Sequence, residues 1–150
     1  MAFATGRHML EPAHGSSMNV DDVVGMVRHV YGKRVVFHDG DAALAPGIGL
    51  HHIGGHTAGL QAVTVETKRG TVVVASDACH LYVNIETRNP FPIIFEKNKV
   101  LAGYEKLERL APSPAHIVPG HDPQVMDRYP AVSDDLKGIA VRLDVEPKAT

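Results

Sequence analysis

A single cysteine, Cys79, stands in 150 residues, so no disulfide can form within the chain, and this fits a reducing cytoplasm. No apolar run approaches the roughly 20 residues needed to cross a bilayer as a helix. The start, "MAFATGRHML", lacks the basic segment and apolar core of a secretory leader. An excess of one charge is missing too. Fifteen Lys and Arg against 17 Asp and Glu leave a net −2 with histidine neutral, which gives no footprint for nucleic acid or an anionic membrane. There is no internal repeat and no low-complexity tract. The expectation is a soluble cytoplasmic protein with no nucleic-acid or membrane partner. Its length, with 44% hydrophobic and 21% charged residues, fits one globular domain over residues 1–150.

Histidine is abundant by contrast, with ten copies, and residues 47 to 61, "GIGLHHIGGHTAGLQ", hold three of them among five glycines. Around this stretch the chain alternates helical and strand patterns. "NVDDVVGMVRHVYG" predicts a helix: Asn19 caps it, Asp21 and Asp22 suit its N-terminal dipole, and Val20, Val23, Val24, Val27 and Tyr31 recur at helical spacing before Gly32. Residues 1 to 18 show no clean period and predict an irregular start. "KRVVFHDGDAALAPGIGLHHI" predicts short strands, "VVF" among them, joined by turns at "DGD" and "APG". "LQAVTVET", "KRG" and "TVVVAS" form the clearest hairpin pattern, the first strand alternating and the second continuously apolar. Residues 84 to 97, with Pro90 and Pro92, predict a loop, and a helix is expected from about Asn98 to Leu110. "HIVPG" predicts a short strand into a turn, and Pro123 opens a last helical segment.

Three places share one layout, in which a short apolar strand ends and a ligand-type side chain follows. They are His56 after "HHIGG", Asp77 after "TVVVAS" and His121 after "HIVPG". Strand ends are rigid platforms, and glycines beside a ligand let the backbone approach an ion closely. Two imidazoles and a carboxylate suit zinc or a similar divalent ion. Each residue taken alone has a structural alternative. Asp77 can cap the segment that follows it, and His121-Asp122-Pro123 can be the turn that opens a helix.

Taken together and in order, "GGHTAGLQ", "ASDA" and "VPGHD" resemble the second half of the metallo-β-lactamase fold. The resemblance covers roughly residues 34 to 129. It implies an α+β fold, the C-terminal half of an αββα sandwich, with a mixed sheet and flanking helices. It also implies His56, Asp77 and His121 as metal ligands, the aspartate bridging two zinc ions in an intact member, and a metal-bound hydroxide attacking an ester, lactone or thioester carbonyl of a small substrate. The loop "SDACHLYVNIETRNPF" is similar to that of the acyl-homoserine lactonase group, and a glyoxalase-II-like thioesterase is the second enzyme class. Two residues of this loop are candidates to steady the oxyanion, His80 and Tyr82, with Tyr82 as a packed aromatic the alternative. Cys79 matches no ligand position and is expected to be a buried small residue. His51 and His52 lie on the strand before the glycines, pointing to opposite faces, and neither is expected to be a ligand.

The family's first metal-binding element, "HxHxDH", is not found, and no H-x-H occurs anywhere in the chain. The expectation is therefore a partial domain of a metallo-hydrolase, a truncated form with doubtful activity by itself. The alternative is a non-catalytic or vestigial half-domain that associates with a partner. Either form is expected to self-associate, since a half sandwich leaves a sheet face uncovered.

Overall fold

The computed structural model describes residues 2–15 and 18–148. The chain divides into two compact units, Met1–Asp39 and Gly40–Thr150. In the first unit a 3-10 turn, Arg7–Leu10, is followed by the short helix α1 (Pro12–Gly15) and the longer α2 (Val20–Tyr31). The start expected to be irregular thus holds two brief helical turns. Helix α2 begins where its cap requires, the Asn19 side chain accepting the Asp21 N–H at 2.9 Å. The strand expected at "VVF" does not form. Val36 and Phe37 are 78% and 66% exposed. β-propensity reflects packing on a pleated surface, and these side chains do not make that packing.

The second unit is built on a sheet of order β1-β2-β3-β4-β5: Ala42–Ala45, Ile48–His52, Gln61–Thr67, Gly70–Val74 and Ile117–Val118. The first four strands are a meander of antiparallel pairs, and β5 joins β4 in parallel, so the sheet is mixed as expected. The predicted hairpin is β3 and β4, with Val65 opposite Val72 and Thr67 opposite Gly70. Two antiparallel steps restore direction, so β2, β4 and β5 all run the same way. Their C-terminal ends therefore meet at one edge of the sheet.

One sheet face is covered by α4 (Lys97–Leu110), which turns Val100, Gly103, Tyr104 and Leu107 inward. These meet Ile53, Leu60, Ala62, Val73, Ala75 and Ile117 in a single core. Burying such side chains contributes roughly 1.5–3 kcal/mol each, which fixes the level of α4 against the ends of the strands. The loop expected over residues 84 to 97 instead starts inside a helix, α3 (Tyr82–Glu86), closed by Asn84, whose Oδ1 accepts the Leu81 N–H at 2.9 Å. From Thr87 to Glu96 the chain is irregular, as Pro90 and Pro92 require. The last helix, α5 (Gln124–Arg128), follows Pro123 as expected. Arg69, in the hairpin turn, donates to the Leu143 and Ala115 carbonyls and to Tyr129 Oη, and so holds the C-terminal segment in place. Among the described residues no helix is long and apolar enough to cross a membrane.

Candidate metal centre

The three co-directional strands each hand over to one loop, and the three loops converge. Beyond β2, Gly54 and Gly55 turn the chain with φ of +72° and +88°. A Cβ at Gly55 would stand 2.7 Å from the backbone nitrogen of Val100, so only glycine lets this loop press against the start of α4. The Gly55 carbonyl accepts the Phe95 and Glu96 N–H groups at 3.0 and 2.9 Å, which clamps the loop there. His56 is the next residue. Its Nδ1 lies 2.6 Å from the Ile93 carbonyl, an acceptor, so Nδ1 carries the proton and Nε2 keeps its lone pair.

Beyond β4, a 3-10 turn over Ser76–Ala78 presents Asp77, and His80 follows. Beyond β5, Gly120 delivers His121. The pairing of β4 and β5 continues past the strands themselves. The Ala75 N–H donates to the Val118 carbonyl at 2.9 Å, Gly120 N–H to Cys79 O at 2.9 Å, and His121 N–H to His80 O at 3.0 Å. At Gly120 a Cβ would meet the Ser76 carbonyl oxygen at 2.7 Å, so the two loops approach closely.

Asp77 is the hub. Its Oδ1 lies 2.6 Å from His121 Nε2 and 3.2 Å from His80 Nε2. Ligand-type atoms of His56, Asp77 and His80 fall within 4.8 Å of one another. The His80 ring stacks on Phe91, centroids 3.4 Å apart and planes 6° off parallel, and both rings meet His56 edge-on. His80 Nε2 is buried and lacks a hydrogen bond, because its approach to Asp77 has the distance but not the angle. Burial, and then the neighbouring His121, push its basicity below that of an ordinary histidine. His121 is the outermost member, its side chain 60% exposed.

The structure thus brings together His56, Asp77, His121 and His80. It does not bring Tyr82 to them. The Tyr82 ring is 6% exposed and lies under the Arg128 guanidinium, 3.8 Å from ring centroid to Cζ, while its N–H donates to Asp122 Oδ2 at 2.9 Å. Burial pushes its hydroxyl up to about 12. Cys79 is fully buried, its Sγ 3.1 Å from the Leu81 carbonyl, and burial pushes its thiol up to about 12. His51 and His52 diverge as the strand alternation requires, His51 to Thr64 Oγ1 at 2.9 Å and His52 to the Ala58 carbonyl at 2.8 Å. Two contributors were not visible in the sequence. Phe91 supports His80 from an irregular segment with no periodicity to mark it. Asp122 ties α3 to α5 by accepting the Tyr82 and Gln124 N–H groups, and only its place before a proline hinted at a cap.

No family model matches the chain. Over 86 residues it is 35% identical to an N-acyl homoserine lactonase of Bacillus sp, an alignment spanning 56% of this chain and 34% of that protein. A solved N-acyl homoserine lactone hydrolase, with the product N-hexanoyl-L-homoserine bound at its catalytic metal centre, is similar with a TM-score of 0.52 and 27% identity, over 60% of this chain and 36% of that one. A dizinc quorum-quenching lactonase in complex with a product shares the fold with a TM-score of 0.55 at 16% identity, over 81% of this chain and 45% of that one. The chain therefore spans about a third of the length of the first two proteins.

Proposed function

We propose, from the premise that this chain carries the C-terminal part of the metallo-β-lactamase fold, that it supplies half of a zinc-dependent hydrolytic centre acting on a small lactone, ester or thioester. The observation that carries this is the convergence of His56, Asp77 and His80 ligand atoms within 4.8 Å, from the loops that follow β2 and β4. The donor chemistry fits. His56 offers a free Nε2, Asp77 offers a carboxylate to more than one neighbour, and His80 Nε2 is a buried nitrogen without a hydrogen bond. His121 completes the set from the solvent side. A bound zinc ion supplies Lewis acidity toward a carbonyl and toward water.

The chain's own residues set the geometry around it. Ile93 fixes the tautomer of His56, and Phe91 fixes the plane of His80. His121 Nε2 lies 2.6 Å from Asp77 Oδ1 and so holds the carboxylate toward the solvent side of the cluster. Of the two oxyanion candidates His80 stands at the cluster, where its Nε2 is read as a zinc donor, and Tyr82 packs against Arg128 instead.

Elemental analysis of the purified chain dialysed against zinc tests the metal reading. About one zinc per chain is expected, with retention at least about tenfold weaker in Asp77→Asn and His56→Ala. A native chain that refuses zinc overturns it. Hydrolysis of N-hexanoyl homoserine lactone, followed by proton release, tests the catalytic reading. Zinc binding without turnover would favour the non-catalytic half-domain instead.

A further inference from the structure

Helix α2 carries two apolar stripes, and only one of them is partly covered. Val23, Met26 and Val30 are half-buried. Val20, Val24, Val27 and Tyr31 form the second stripe, and all four are between 38% and 86% exposed. No residue of the helix is fully buried. An apolar stripe left open along the whole of a helix marks a surface for association.

The spacing tells what kind of surface it is. Steps of four, three and four residues are those of a heptad seam, by which one helix packs lengthwise on another. A lipid surface is a poorer match, since the polar side opens with Asp21 and Asp22 and the stripe holds no Trp, Phe or Leu. With Val24 and Tyr31 at heptad position a, and Val20 and Val27 at d, Asp21 and Arg28 fall at e and Val23 and Val30 at g. Among the described residues neither Asp21 nor Arg28 takes part in an ion pair.

Positions e and g choose the partner and its direction. In an antiparallel pair e faces e and g faces g, whereas in a parallel pair e faces g. Two antiparallel copies related by a twofold axis therefore set Asp21 of each against Arg28 of the other, twice, with Val23 and Val30 extending the seam. The parallel arrangement sets Arg28 against Val23 and forms neither ion pair. The helix is thus complementary to itself in one direction only.

We infer that the open stripe of α2 is the interface of an antiparallel homodimer, closed by Val20, Val24, Val27 and Tyr31 and oriented by two Asp21–Arg28 ion pairs. None of these residues belongs to the candidate metal centre, so the zinc reading and this one fail independently. Association through an uncovered sheet face is a different outcome, and the variants below tell the two apart.

Sedimentation equilibrium of the full chain in EDTA, so that no shared metal links two copies, tests this. A reversible dimer is expected with a dissociation constant of about 100 µM, weak because three helical turns make a small interface. Asp21→Lys and Arg28→Glu each bring like charges together twice, and each should weaken the dimer at least about tenfold. Mixed in equal amounts, the two variants should recover it as a heterodimer, because every facing pair is then opposite in sign. Asp22→Lys makes the same charge change away from the seam and should leave the dimer as it is. Val24→Lys should abolish it, and far-UV dichroism identifies any variant that has simply unfolded. A native chain that stays monomeric up to about 1 mM overturns the inference. So does a dimer indifferent to Asp21→Lys and Val24→Lys, which would place the contact elsewhere, the sheet face included. An equal effect of Asp22→Lys, or two folded charge variants that fail to associate when mixed, overturns it as well.

Discussion

Replacing Gly55 by alanine tests how the His56 loop is made. The residue has φ +88°, a conformation that costs an L-residue about 1–2 kcal/mol. The new methyl would stand 2.7 Å from both Val100 N and Val100 Cγ2, and 3.0 Å from Val100 Cα. Two of these three atoms are backbone inside α4, so the helix itself must retreat from a packed core. Overpacking of this kind costs about 1–3 kcal/mol. The two together give a loss of about 3 kcal/mol. With a urea slope of about 2 kcal/mol per molar, the midpoint falls by about 1.5 M. Gly59, four residues on, is the internal control. It is exposed, and nothing lies within 4 Å of the position a Cβ would take, so Gly59→Ala should stay within about 0.5 kcal/mol of the native chain. Urea unfolding followed by far-UV dichroism compares the three. If Gly55→Ala unfolds at the native midpoint, or if Gly59→Ala is equally damaged, the close approach of loop and helix is not what holds His56.

Two further outcomes follow from groups away from the centre. The hydrogen bond from Lys106 Nζ, with the His52 N–H and His51 adding to it, holds the Asp41 carboxyl down at about 2 against an ordinary 3.8. Its folded pKa is lowered, so its contribution is present above about pH 4 and is lost as pH falls toward 2. The side chain is 48% exposed and screened, which limits the effect to about 1 kcal/mol. Urea midpoints at pH 5 and pH 2.5 should fall less in Asp41→Asn than in the native chain, and identical slopes would sink the assignment. Tyr104 is fully buried with a hydroxyl that has no partner, so Tyr104→Phe should leave thermal stability unchanged or raise it by up to about 1 kcal/mol. A marked drop in melting temperature would mean that the hydroxyl is bonded after all.

The parts legible in the sequence were those with a strong local signal. The hairpin of β3 and β4 showed itself through alternation around a short turn, and α2 through Asn19 and its valines. Helix α4 was clear from its apolar face, beginning one residue earlier than expected. The "VVF" segment misled because β-branched residues advertise a strand without saying what it pairs with, and here nothing pairs. Helix α3 was hidden by the prolines after it, since its closing bonds depend on the Asn84 side chain rather than on periodicity. At the site, His56, Asp77 and His121 were each visible from the residue types after three strands, and His80 only through the resemblance, as an oxyanion candidate. Their meeting was not, because it depends on strand direction, which spacing along the chain does not encode. The remoteness of Tyr82 is likewise a matter of which way α3 turns, set by Asp122 forty positions later.

The backbone bonds that carry the β4–β5 pairing out to His80 and His121 have a consequence for dynamics. A ligand loop that hangs from its strands by side chains alone can fray while the rest of a protein stays folded. Here the amides of Ala75, Gly120 and His121 continue the β4–β5 pairing, so the segments that carry Asp77, His80 and His121 are tied to each other by backbone bonds as well as by side chains. Displacing one of these segments breaks main-chain bonds to the other, and the exchange rates of three backbone protons would report how often that part of the cluster opens.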